Sequence, residues 1–158
     1  MDDLEAARLQ IYALEDGAVR AQALAFSLRI GLFERLAEGP QTFDELRAGL
    51  GLSQRVAPTL IAFLSSQGLI ARDSSGRLVN TSAATQFLVR SSPAYIGARG
   101  LLFEGFLPAI EHLQESLRSG EPWTGRGQHD MFAGFDEAEQ RWFAEGMYAN
   151  AVHGARAL

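Results

Sequence analysis

The 158-residue chain contains no cysteine and no lysine, so all 14 of its basic residues are arginine. Without cysteine there can be no disulfide bond, thiolate nucleophile or cysteine-based zinc site. The 14 arginines stand against 19 acidic residues, which gives a formal net charge of −5, and they occur singly along the sequence. Such a chain is poorly suited to bind nucleic acid, because DNA is held largely through several neutralised phosphates.

Long hydrophobic runs and a signal peptide are also absent. The longest stretch without a charged residue, 56–71, contains Pro58 and Gly68 and is too short to span a bilayer. Asp2 and Asp3 stand where a signal peptide needs an apolar run. We therefore expect a cytoplasmic protein without a membrane partner.

Two short helices are predicted in the middle of the chain. Residues 42–45, Thr-Phe-Asp-Glu, have the spacing of a capping box, which predicts a helix over residues 42–50. A second helix is predicted over residues 54–67, with Ser53 as its N-cap. Pro58 predicts a slight kink near the start of this second helix.

A β-hairpin is predicted after the second helix. Its strands, 69–72 and 77–80, flank an Asp-Ser-Ser-Gly turn at 73–76. Thr81 then caps a helix that ends at Leu88. The order helix, turn, helix, hairpin is typical of a winged helix-turn-helix. The predicted fold class is mainly α: a winged helix-turn-helix with a short β-hairpin and additional N- and C-terminal helices.

Two helices are predicted before the winged helix. The first covers residues 4–14 and is amphipathic, whereas the second, over 18–37, is rich in alanine and ends before Gly39 and Pro40. Small residues permit close helix approach, so this second helix is expected to pack deeply or against another subunit. The apolar stripe of the first helix consists of Leu4, Ala7, Ile11 and Leu14.

The remainder of the chain also has the pattern of helices. Residues 92–93, Ser-Pro, have the pattern of an N-cap followed by a first helical proline. One or two helices are predicted over 95–117, with a kink or break at Pro108. The glycine-rich segment 119–134 is expected to be a loop. A capping box at 136–139 predicts a last helix.

The predicted recognition helix carries little positive charge. Arg55 is its one basic residue, and the wing adds Arg72 and Arg77 with Asp73 between them. Because affinity for DNA needs several cations on one face, a solvated polar surface is the better interpretation. We expect no nucleic-acid partner and infer that the winged helix serves protein contact.

The sequence offers little for catalysis on its own. His112 stands near Glu111 and Glu115, but a metal site needs at least three converging ligands, and a surface ion pair is favoured. We therefore assign no catalytic, cofactor-binding or metal-binding residue to this chain.

Several segments resemble one known family in their order and spacing. The chain is similar to the N-terminal dimerisation domain of the small-molecule O-methyltransferases that use S-adenosylmethionine (SAM), of the plant caffeate and bacterial polyketide-tailoring type. The matching segments are 30–36, 42–46, 63–70, 80–84, 113–122 and 143–147.

This resemblance implies a homodimer whose N-terminal helices intertwine and whose helical part closes over the acceptor pocket of a Rossmann-like domain. It implies dimerisation helices over 1–40, a winged helix over 41–90 and a substrate-capping region over 91–158, with the catalytic domain beyond the chain. SAM is implied for the full-length enzyme but not for this chain. The positions implied to line the pocket for a small aromatic acceptor are Ile96, Leu102, Phe143, Met147 and Asn150.

Two other functions remain open at this point. A winged-helix transcriptional regulator would use Arg55 to contact DNA. A non-catalytic ligand-binding dimer on the methyltransferase scaffold would have the same helices but would not catalyse methyl transfer. It is also open whether the end at Leu158 is natural.

Overall fold

The computed structural model describes residues 3–105, 107–123 and 136–155. The chain forms two compact units, Met1–Ala94 and Tyr95–Leu158. The described residues contain ten helices and one two-stranded sheet. The predicted mainly helical fold with a short β-hairpin is confirmed.

The first unit has the element order of a winged helix. Five helices precede the hairpin and one follows it. They are α1 (Asp3–Glu15), α2 (Gly17–Arg29), α3 (Leu32–Ala37), α4 (Phe43–Gly49), α5 (Ala57–Ser66), β1 (Ile70–Arg72), β2 (Leu78–Asn80) and α6 (Ser82–Leu88).

The single long helix predicted over 18–37 is wrong, because the chain breaks between α2 and α3. Gly31 has a left-handed backbone with a φ of 70°. Glycine adopts this conformation without the steric cost that a Cβ atom brings. This left-handed residue separates α2 from α3, and α3 starts at the next residue and buries Leu32 and Phe33.

The capping box that begins α4 is confirmed. The hydroxyl of Thr42 accepts a hydrogen bond from the Glu45 N–H at 3.2 Å, and the Glu45 carboxylate accepts one from the Thr42 N–H at 2.7 Å. The two bonds satisfy backbone donors that the first turn of a helix leaves unpaired. Leu46, the next residue, is fully buried.

The predicted start of the second helix is wrong. Helix α5 begins at Ala57, and the hydroxyl of Ser53 accepts a hydrogen bond from the Arg55 N–H at 3.3 Å inside the preceding turn. Pro58 therefore lies in the first turn of α5. Proline fits there because its missing N–H would have no helical partner.

The hairpin folds as predicted. Strands β1 and β2 are antiparallel, with Ile70 opposite Asn80 and Arg72 opposite Leu78. In the turn, the Asp73 N–H donates to the Arg77 carbonyl at 2.9 Å. The Thr81 hydroxyl accepts a hydrogen bond from the Ala84 N–H and caps α6, as expected.

The core of the first unit lies where α3, the hairpin and the short helices meet. The side chain of Asn80 donates a hydrogen bond of 2.8 Å to the Phe33 carbonyl and joins β2 to α3. Gln41 and Leu78 exchange two backbone hydrogen bonds beside the hairpin. The buried apolar residues of this unit are Ala25, Leu28, Leu32, Phe33, Leu36, Leu46, Ala57, Ile61, Leu64, Ile70, Leu78, Ala84, Leu88 and Val89.

The described part of the second unit contains four helices. They are α7 (Gly97–Gly105), α8 (Leu107–Glu111), α9 (Leu113–Ser119) and α10 (Glu137–Ala155). The last helix begins after Asp136, as its capping box predicts. Most of the predicted loop over 119–134 lies outside the described residues.

One expectation for the second unit needs correction. Ser92 does not cap a helix, because its hydroxyl donates to the Gln86 carbonyl at 2.6 Å and accepts from the Ala94 N–H, and α7 starts only at Gly97. The stretch 95–117 contains α7, α8 and the first residues of α9, and the one residue between α7 and α8 lies outside the described part. Between α8 and α9, the backbone of His112 leaves helical geometry, with φ −96° and ψ 3°.

Candidate protein-contact and substrate-capping sites

The surface of the winged helix that would contact DNA carries even less positive charge in the structure than the sequence suggests. Arg55 is exposed, but it lies in the turn before α5 and not on the helix itself. Its exposed neighbour is Val56, an apolar residue. A recognition helix contacts base edges with the side chains of its first turns, and here Pro58 stands in the first turn.

The two arginines of the wing, Arg72 and Arg77, make hydrogen bonds to other parts of the first unit. Arg77 donates to the Glu45 carboxylate at 2.6 Å and to the Pro40 carbonyl at 3.0 Å, which ties the wing to the start of α4. Arg72 donates to the Gly76 carbonyl at 2.7 Å within the turn. Arginines held in this way are not available as a group to neutralise phosphates.

Two carboxylates beside these arginines are held in the ionised state. The backbone N–H of Thr42 and its hydroxyl, together with the Arg77 guanidinium, lower the pKa of Glu45 below its ordinary value of 4.5. The Ser75 hydroxyl and the Arg77 N–H lower the pKa of Asp73. Because a hydrogen bond to the charged form favours that form, both acids stay ionised to a lower pH than ordinary carboxyl groups. Their negative charges offset part of the wing's positive charge.

An uncovered apolar surface lies on α1. None of its residues is buried, and Leu4 and Leu14 are 77% and 75% exposed. Leu4, Ala7, Ile11 and Leu14 follow helical spacing and share one face; we call this face the α1 stripe. A helix with an exposed apolar stripe needs a partner to bury it.

In the second unit, the predicted pocket residues lie on and beside α7 and α10. Leu102 is buried, and a Cβ atom added at Gly146 would lie 2.7 Å from its Cδ2 atom, so the two helices touch at this glycine. Phe143 is half-buried and Met147 is 48% exposed. Both lie on the side of α10 next to Gly146, since residues three and four apart share a helix face.

The structure says less about the other two predicted pocket residues, Ile96 and Asn150. Ile96 is half-buried and directly precedes α7. Asn150 belongs to α10, but its side chain lies outside the described part of the structure. The contact of Gly146 with Leu102, which brings α7 to α10, was not predicted from the sequence; a glycine inside a predicted helix was its only signal.

The part of the chain that the structure describes shows no cluster of side chains that could form a metal site. There, no group of three histidine, aspartate or glutamate side chains is placed to hold a metal ion. The Nδ1 atom of His112 lies 3.5 Å from the Glu115 carboxylate, as the ion-pair interpretation predicts. Among the same residues, no helix is long and apolar enough to cross a membrane.

No protein-family model matches the chain, but individual proteins do. The chain is 29% identical over 148 residues to 3-hydroxy-5-methyl-1-naphthoate 3-O-methyltransferase of Streptomyces sahachiroi, covering 92% of this chain and 42% of that protein. It is 32% identical over 120 residues to the tetracenomycin 8-O-methyl transferase TcmO of Streptomyces glaucescens, covering 75% and 35%. The chain is a homologue of small-molecule methyltransferases.

The similarity to these methyltransferases is limited to their N-terminal region. CalO1, a methyltransferase in calicheamicin biosynthesis whose crystal structure contains SAH, superposes with a TM-score of 0.70 at 26% identity. This superposition covers 96% of the chain and 46% of CalO1. The chain thus spans less than half the length of the methyltransferases that it matches.

Proposed function

We propose that the chain is the dimerisation and substrate-capping region of a SAM-dependent O-methyltransferase. Its acceptor is a small aromatic or polyketide-like molecule, and its compartment is the cytoplasm. The observation that carries this proposal is the match of 92% of the chain to a naphthoate O-methyltransferase. In this proposal a Rossmann-like domain outside the 158 residues performs methyl transfer.

The described residues do not fit a SAM site. Cofactors with a nucleoside bind at the carboxyl ends of parallel strands, beside a glycine-rich turn into a helix. The sheet in the described part is an antiparallel hairpin of two three-residue strands. We therefore assign no step of methyl transfer to this chain and limit its role to the acceptor and to dimerisation.

The capping role rests on the apolar residues beside the α7–α10 contact. Phe143 and Met147 offer an aromatic ring and a thioether, both of which pack well on a flat aromatic acceptor. Leu102 and Ile96 extend the apolar surface, and Asn150 is proposed to contact the acceptor. Such a cap excludes water and holds the acceptor hydroxyl in line with a methyl donor.

The dimerisation role rests on the α1 stripe. Its apolar side chains lie on the surface of the first unit, and no residue of α1 is buried there. A second copy of the chain would bury the stripe on both protomers at once, because a two-fold interface uses the same surface twice. The surface that would contact DNA carries few positive charges, which supports a role of this winged helix in protein contact.

A chimera tests the capping role. The chain replaces the matching 42% of the Streptomyces sahachiroi enzyme, and methyl transfer is measured with varied acceptor and varied SAM. We expect an active chimera in which Phe143→Ala or Met147→Ala raises the KM for the acceptor about fivefold or more, since burying such a side chain contributes about 1.5–3 kcal/mol. The KM for SAM should stay unchanged.

Tyr148→Ala is the matched control for the chimera. Tyr148 is the next residue along α10 and is 72% exposed, but its position on the helix faces away from Phe143. We expect neither KM to change in this variant. Pocket variants that behave like Tyr148→Ala, or that change only the KM for SAM, would contradict the capping role.

A further inference from the structure

Helices α7 and α10 of the second unit touch at a glycine. A Cβ atom added at Gly146 of α10 would lie 2.8 Å from the Cβ atom of Leu102 on α7 and 2.7 Å from its Cδ2 atom. Non-bonded carbon atoms pack at about 3.5–4.0 Å, so a side chain at this position would overlap with Leu102. Gly146 therefore allows the two helices to lie closer together than any other residue would.

Other small residues of the two helices are buried near this contact. Ala98 lies one turn before Leu102 on α7, Ala149 lies three residues after Gly146 on α10, and both are buried. Residues three and four apart share a helix face, so each helix carries a small side chain on the same face as the contact. Helices with small side chains at their contact lie near the lower end of the usual interaxial range of about 8–10 Å.

The same two helices carry the proposed acceptor residues. Leu102 belongs to α7 and Ile96 directly precedes this helix, whereas Phe143 and Met147 belong to α10. Met147 directly follows Gly146 in the sequence, and Phe143 lies three residues before it. The spacing of α7 and α10 therefore sets the spacing between the two groups of acceptor residues.

We propose that Gly146 is a specificity-determining residue that restricts the cap to flat, unbranched aromatic acceptors. This inference rests on the proposed capping function. With glycine at this position, the side chains of both helices contact a planar ring system, and a branched substituent has no room between them. An alanine must push the helices apart by about 1 Å, and a gap of about 0.5–1 Å removes about a quarter to a half of the dispersion attraction between facing atoms.

The chimera with the catalytic part of the Streptomyces sahachiroi enzyme tests this role. Two acceptors are compared: 3-hydroxy-5-methyl-1-naphthoate, which that enzyme's name specifies, and its analogue with an isopropyl group in place of the methyl group. We expect Gly146→Ala to lower kcat/KM for the methyl compound and to raise it for the isopropyl compound. The ratio of the two values should shift at least about tenfold, since one methylene group in an apolar pocket changes discrimination by about 10- to 200-fold. The KM for SAM should not change.

Gly17→Ala is the matched control, because it makes the same change at another helical glycine. A Cβ atom at Gly17, the first residue of α2, would have open space around it. We expect this variant to keep the wild-type ratio of kcat/KM for the two acceptors. Leu102→Ala removes the Cδ2 atom at the contact and opens the same space from α7, so it should shift the ratio in the same direction as Gly146→Ala.

Two results would overturn the specificity role and leave the capping role intact. One is an acceptor ratio that Gly146→Ala leaves unchanged while Phe143→Ala still raises the KM for the acceptor; the other is an equal loss of kcat/KM for both acceptors. A chimera in which Phe143→Ala has no effect would contradict the capping role itself. If circular dichroism shows that Gly146→Ala does not fold, an unchanged ratio in Leu102→Ala overturns the specificity role.

Discussion

Ile11→Asp is expected to convert the proposed dimer of this chain into a monomer. Ile11 lies in the middle of the α1 stripe, and more than half of its surface is exposed in the single protomer. Burying such a side chain contributes about 1.5–3 kcal/mol, and a two-fold interface buries it twice. The loss of about 3–6 kcal/mol weakens the dimer roughly 10²- to 10⁴-fold.

Sedimentation equilibrium over a range of protein concentrations measures this effect. Val56→Asp is the control, because it places the same charge on another exposed apolar position, at the start of α5 and far from α1 in sequence. We expect the control to remain a dimer. A wild-type chain that sediments as a monomer, or an Ile11→Asp variant that dimerises like the wild type, would refute the role of the α1 stripe.

Phe33→Ala should remove much of the stability of the first unit. The Phe33 ring is fully buried, and its carbonyl accepts the 2.8 Å hydrogen bond from Asn80 that joins α3 to β2. Truncating a buried phenylalanine costs about 3–5 kcal/mol through lost burial and the cavity that remains. Since small domains have a total stability of about 5–15 kcal/mol, the variant should be close to unfolding.

Urea unfolding followed by circular dichroism measures the cost of Phe33→Ala. Val56→Ala truncates an apolar side chain in the same unit that is 61% exposed, and we expect it to change stability by less than about 0.5 kcal/mol. If both variants unfold at the same urea concentration, Phe33 is not the centre of the core that the structure describes.

The elements that the sequence predicted best are those with local signals. The capping box of Thr42 and Glu45 and the cap at Thr81 each involve residues three apart. The hairpin turn depends on Asp73 and on Gly76, whose φ is 80°. Such contacts can be recognised in a short window of sequence, because each depends on only a few neighbouring residue types.

The errors arose where one local signal competed with another. Ser53 has the side chain of an N-cap, but Pro58 fits the first turn of a helix, and the helix starts at Ala57. Gly31 lies within a helical pattern that does not reveal its left-handed backbone. In both cases the decisive residue, Pro58 or Gly31, is visible in the sequence but is compatible with more than one backbone conformation.

Contacts between residues that are far apart in the sequence could not be predicted from local patterns. The Asn80–Phe33 hydrogen bond joins residues 47 positions apart, and the Arg77–Glu45 pair joins residues 32 apart. The pocket residues were inferred from the family resemblance, and their role in binding an acceptor stays a prediction. The structure adds that Leu102 contacts Gly146, the residue directly before Met147.

We infer that this winged helix is a scaffold for protein contact and not a reader of DNA. A gel-shift titration of the chain against the DNA upstream of its own gene, at low salt, tests this claim most directly. The wild-type chain and Arg55→Ala should give the same result, without a specific complex. A specific, salt-sensitive complex that is lost in Arg55→Ala would contradict the account and favour a transcriptional regulator.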